Sequence, residues 1–142
     1  MNNGFSLSEL LIVIAILVVI AVFGVPATIT HYQNYLLIAE RDSLLSYLRR
    51  ARTFSLANRN SEPHGIFIES NQYVLFEGKS FTERQAAYDE VFPKAKSIQI
   101  AGTSEIVFAS LAATSTGGTI TLSVAPNNSF NIQINEAGGI IW

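Results

Sequence analysis

The chain contains no cysteine. That excludes disulfides, thiol catalysis and lipid attachment to cysteine, and it leaves the compartment open, because secreted proteins can also lack disulfides. Histidine occurs only at His31 and His64, which stand in no metal-ligand spacing. Gly117-Gly118 follows a Ser/Thr-rich stretch but lacks the lysine of a phosphate loop. Serines are plentiful, yet no motif pairs one with a histidine. The expectation is a non-enzyme with no catalytic set, no metal and no cofactor. Lysine and arginine are missing from Ser97 to Trp142, where Glu105 and Glu136 stand, and the net charge is -2. The chain as a whole offers no strong attraction to nucleic acid.

Charge is also missing from the front of the chain. Leu10 to Ala27 carries no charged or strongly polar side chain, and Glu9 is the only charged residue before Glu40. Such a run is about long enough to cross a bilayer core as a helix, which needs roughly 20 residues. An acid at the mouth of a membrane span is costly, so a functional role is its default reading. A conventional secretory signal is the plain alternative, with Val25-Pro26-Ala27 as a small-residue cut site. Against it, the first residues carry no Lys or Arg, Glu9 interrupts the entry, and the run is long for such a signal. A simple membrane anchor is a second plain alternative.

The order Gly4-Phe5-Ser6-Leu7-Ser8-Glu9, followed by the apolar run, resembles the class III signal of type IV pilins and type II secretion pseudopilins. Gly4, Phe5, Leu7 and Glu9 match the family pattern in register; Ser6 replaces a usual threonine and Ser8 a usual aliphatic residue. The resemblance implies a leader of residues 1–4, cleavage between Gly4 and Phe5 by prepilin peptidase, and N-methylation of Phe5. It implies a transmembrane and filament-core helix over residues 5–27, bent near Gly24 and Pro26, and a role for Glu9 in subunit register. Proline independently argues for a bend, because it removes a helical hydrogen bond and clashes with the carbonyl of Val22. Family leaders usually carry Lys or Arg and this one has neither. Charge counting places Arg41, Arg49, Arg50 and Arg52 on the cytoplasmic side, whereas the family topology keeps the N-terminus inside. The family topology is the expectation taken here.

Residues 28–62 read as an amphipathic continuation of the helix. Leu37, Leu44, Leu48, Ala51 and Ser55 recur at three- or four-residue steps, with Ile38 and Leu45 beside them. Glu40, Arg41, Asp42, Arg49, Arg50, Arg52 and Arg59 lie mostly around that stripe. Arg49, Arg50, Arg52 and Arg59 form a candidate cationic patch, read either as a solvated helix face with subunit salt bridges or as a nucleic-acid contact. Asn58 to Pro63 supplies the stop signal.

Beyond Pro63 the period becomes two, and residues 63–142 read as an antiparallel β domain. Expected strands are Gly65–Glu69 and Gln72–Glu77 as a hairpin, then Ser97–Ala101, Ile106–Ala109, Thr119–Val124, Phe130–Asn135 and Ile140–Trp142. Gly78 to Lys96 reads as irregular, with a helical turn at Glu83 to Tyr88. The fold class is α+β: a long N-terminal helix whose second half covers a small antiparallel sheet or sandwich. The stretch Leu48 to Asn60, the hairpin after it, Gly118-Thr-Ile-Thr-Leu and Ile132-x-Ile-x-x-x-Gly138 are similar to the GspH/FimT group of pseudopilins and minor pilins.

The resemblance implies a structural subunit, a minor one, of a type IV pilus or type II secretion pseudopilus. Its partners would be prepilin peptidase, other pilin or pseudopilin subunits, the inner-membrane assembly platform and the lipid bilayer. It would cross the bacterial cytoplasmic membrane once, with the C-terminal domain outside the cytoplasm, before entering the fibre. The alternative is a FimT-like minor pilin that binds DNA for uptake.

Overall fold

The computed structural model describes residue 4, residues 6–125 and residues 128–142, with residues 23–30 described in backbone alone. The chain divides into two units, Met1–Asn34 and Tyr35–Trp142. A single helix, α1 (Leu7–Leu56), contributes to both. Among the described residues eight strands follow: β1 (His64–Ile68), β2 (Gln72–Glu77), β3 (Glu90–Pro93), β4 (Gln99–Gly102), β5 (Glu105–Phe108), β6 (Gly118–Val124), β7 (Asn128–Ile134) and β8 (Ile140–Ile141).

Two four-stranded antiparallel sheets result, with orders β3-β2-β1-β5 and β4-β6-β7-β8. In the second unit, Leu37, Leu44, Leu45, Leu48 and Ala51 of α1 are buried against Ile66, Tyr73, Leu75, Ile106 and Phe108 of the first sheet. Ile120, Leu122, Ile132 and Ile134 of the second sheet join the same core. The helix is thus the shared cover of both sheets, and the expected α+β architecture is what forms. Truncating Leu44 or Leu48, both 0% exposed, carries the cost of a cavity, about 2–5 kcal/mol.

The first sheet is buried on its second face too. Val74, Phe76 and Val107 alternate with the core residues of β2 and β5 and form a separate apolar cluster with Phe67 and Phe81. Phe81 supplies that cover, stacked on Phe67 at 3.9 Å between ring centroids and edge-on to Phe76 at 5.7 Å. Arg84 lies 3.8 Å over the Phe81 ring and is held by Asp89 at 2.8 Å. Double-sided burial is why β2 reads as a nearly continuous apolar run.

The helix stops where Asn58 adopts the left-handed conformation, φ 50°, a residue suited to that terminus. A 3-10 turn at Arg59–Ser61 then leads into β1. Ser55, fully buried, closes this corner: its hydroxyl donates to the Phe108 carbonyl at 2.8 Å and accepts the His64 N–H at 2.9 Å. Glu40, one of the charges expected mostly around the stripe, is also buried. Its Oε1 accepts the Tyr73 hydroxyl at 2.6 Å and the Ala95 N–H at 3.3 Å. Strand β3 occupies part of the stretch expected to be irregular, and the helical turn there is a 3-10 turn at Ala86–Tyr88.

Candidate assembly site

In the first unit the described side chains of α1 from Leu10 to Val22 are apolar and exposed. Leu10, Leu11, Ile12, Val13 and Ile14 are consecutive and therefore point to every side of α1. Each is at least 50% exposed, and Leu7 reaches 83%. A helix apolar all round is stable only where its surroundings are apolar. Among the described residues no helix is long and apolar enough to cross a membrane. The far end of the apolar run, residues 23–27, lies outside the described side chains. The backbone stays helical through Gly24 and Pro26.

Ser6 and Glu9 build the mouth of this helix. The Glu9 carboxylate accepts the Ser6 backbone N–H and the Ser6 hydroxyl, both at 3.0 Å. The Ser6 Oγ in turn accepts the Glu9 N–H at 3.3 Å. This reciprocal pair is a capping box: Ser6 precedes the first helical residue and Glu9 is the third within it. The Ser-x-x-Glu spacing was legible in the sequence as such a signal, but a match to the pilin motif alone misses it. Gly4 is exposed, and no described atom lies within 4 Å of where a side-chain carbon would stand. Phe5 lies outside the described residues.

The four arginines of the candidate cationic patch do not act as one group. Arg50 pairs with Glu90 at 2.7 Å and Arg59 approaches the same carboxylate at 3.8 Å, with both guanidinium groups over Phe54. Arg49 lies 4.5 Å over the Trp142 ring. Neither Arg49 nor Arg52 has a carboxylate partner among the described residues. Lys79 is exposed, whereas Arg84 is committed to Asp89 and Phe81.

His64 sits 3.6 Å from Glu77, both almost fully buried. Asn60 donates to Glu77 Oε2 at 2.6 Å. Both His64 ring nitrogens and Glu77 Oε1 lack a hydrogen-bond partner among the described residues. Burial lowers the His64 pKa, with the Glu77 charge opposing. No group of three or more metal-ligating side chains gathers here or elsewhere among the described residues.

Comparison with known proteins bears on both ends of the molecule. Residues 1–25 match the family model described as the prokaryotic N-terminal methylation motif. No curated protein sequence matches the chain. Among solved structures, the minor pseudopilin EpsH from the type 2 secretion system of Vibrio cholerae is similar in fold. The TM-score is 0.56 at 10% identity, over 73% of this chain and 92% of that one. The motif is confined to residues 1–25, and the likeness to EpsH is one of fold.

Proposed function

We propose that this chain is a minor structural subunit of a type IV pilus or type II secretion pseudopilus. The observation that carries the reading is the apolar helix exposed on all sides with a carboxylate held at its mouth. In the proposal, prepilin peptidase cuts after Gly4 and Phe5 becomes the N-methylated first residue. The stem crosses the cytoplasmic membrane once, with the second unit outside the cytoplasm. It then passes through the assembly platform into the fibre, exchanging lipid for other stems, so its burial is maintained throughout. Gly24 and Pro26 supply the place where the stem bends or unwinds in the packed fibre.

Glu9 sets the register. Its carboxylate already accepts the Ser6 N–H, so the amine released at Phe5 is one residue from the group that holds it. In the low-dielectric core of a fibre such a charge pair is far stronger than at a surface, and an unpaired acid resists burial. The DNA-capture alternative draws less from Arg50 and Arg59, which share the single carboxylate of Glu90. The test is Glu9→Gln, which keeps the shape and much of the hydrogen bonding but removes the charge. The variant should be cleaved and methylated normally yet enter fibres poorly. Fibre yield equal to wild type would refute the pairing.

A further inference from the structure

Among the described residues, four of the six arginines in the second unit stand beside an acid: Arg41 by Asp42, Arg50 and Arg59 by the one carboxylate of Glu90, and Arg84 by Asp89. Arg49 and Arg52 are not, and they stand three residues apart on one side of α1, close enough to be neighbours. Arg52 is partly buried, and its Nε has no hydrogen-bond partner among the described residues, an unfavourable state for a buried donor. It lies against Gly138, where a side-chain carbon would come within 3.5 Å of that Nε.

The surroundings of the two arginines are apolar and open. Ile141 and Trp142 are each 58% exposed, with Arg49 stacked over the Trp142 ring. At the other end, Leu56 is 46% and Leu111 68% exposed. The Leu111 N–H bonds to the Ser55 carbonyl at 2.9 Å, which fixes it beside the end of α1. Leu111 and Ala113 both have left-handed backbones, φ 67° and 48°. Glycine or asparagine would relieve such strain, so folding alone does not account for a leucine held outward there. Backbone strain of this kind collects at functional positions. A tryptophan, two arginines and exposed leucines in one strip also match the composition of interface centres.

We propose that this strip, from Leu111 and Leu56 through Arg52 and Arg49 to Trp142 and Ile141, is a docking surface for a different protein chain. The docking segment carries a carboxylate between apolar side chains. The proposal rests on the fibre reading, in which such a chain is another subunit or a component that meets the growing fibre. Charge decides the occupant. A nucleic acid needs an extended run of cations, and no Lys or Arg occurs from Ser97 to Trp142, while Glu136 stands two residues before Gly138, which lies against Arg52. A symmetric contact between two copies would set Arg49 and Arg52 against themselves. Nor does the second unit offer its own docking segment: exposed Glu83 and Glu136 lie in polar turns, and Asp42 is held by Arg41.

The test places p-benzoyl-phenylalanine at position 111 of the full chain in its native cells, followed by irradiation and mass spectrometry of the adduct. The expected adduct is a segment of another protein with Asp or Glu beside apolar residues. Arg49→Glu/Arg52→Glu, or Arg52→Glu alone, should reduce it about tenfold or more, as for loss of a buried charge pair. Changing the captured acid to Lys should restore it with the charge-reversed strip. An adduct with a second copy, with nucleic acid or with lipid overturns the proposal, as does an acidic adduct indifferent to charge reversal. The state of the N-terminus separates the two readings. A chain found in fibres as mature Phe5 but giving no acidic adduct sinks the docking surface alone. An unprocessed chain absent from fibres that still gives the reversible adduct sinks the fibre reading alone.

Discussion

Tyr73→Phe tests how the second half of α1 is fastened to the first sheet. The Tyr73 hydroxyl is completely buried and donates to Glu40 at 2.6 Å. Burial and the bond to Glu40 push the phenol pKa above its ordinary value, so the group remains a donor at any physiological pH. Glu40 has no cationic partner among the described residues; without Tyr73 it keeps only the longer contact from the Ala95 N–H. A hydrogen bond to a charged group contributes about 1.5–3 kcal/mol. The expected loss for Tyr73→Phe is about 2 kcal/mol, a fall in melting temperature of roughly 8 °C for a unit of this size. Glu40→Gln keeps an acceptor but removes the charge, so in that background the same tyrosine change should cost about 1 kcal/mol. The chain's single tryptophan, Trp142, reports unfolding by fluorescence in urea on the full chain in detergent. A change below about 0.5 kcal/mol for Tyr73→Phe, or strict additivity with Glu40→Gln, would refute the argument.

Three further outcomes follow from the same geometry. Ser55→Ala leaves the His64 N–H and the Phe108 carbonyl without their shared partner and should cost about 2–4 kcal/mol, read from denaturant midpoints. Burial holds the His64 pKa below its ordinary 6.5 in the folded chain, so between the folded value and 6.5 the unfolded state binds the extra proton. Stability should therefore fall as pH drops below about 6.5, and comparison of His64→Phe with wild type across that window should show a flatter dependence. Ser6→Ala removes half of the capping box, a loss of about 1 kcal/mol, and should speed hydrogen exchange at the Glu9 amide about fivefold; unchanged exchange would mean that the cap contributes nothing.

The features legible in the sequence were those with local periodicity. Leu37, Leu44, Leu48, Ala51 and Ser55 are all buried, because a helical stripe needs no knowledge of its partner to be recognised. Gln72–Glu77 is a strand of the expected extent, set off by the turn at Ser70-Asn71. Strand β3 escaped because Glu90–Pro93 is short and ends in proline; it is a strand only because β2 pairs with it. The division into two sheets escaped for a similar reason: β4 skips β5 to pair with β6, and turn residues do not say which strands meet. The burial of Glu40 was not legible among the charges around the stripe, because its partner, Tyr73, is distant in sequence. The arginines of the candidate patch looked alike in sequence, and only Glu90, folded back from β3, separates the pair that shares a carboxylate from the pair that has none among the described residues. Ser6–Glu9 is the opposite case, a fully local signal hidden by reading its residues one by one against a motif.

The most direct measurement is mass spectrometry of the chain's N-terminus, made in parallel on membranes and on sheared surface or periplasmic fibres. The account requires a chain beginning at N-methyl-Phe5 in both fractions, because cleavage after Gly4 releases the amine that Glu9 needs in the fibre core. A chain beginning at Thr28, with the apolar run removed, would identify an ordinary secretory signal and contradict it.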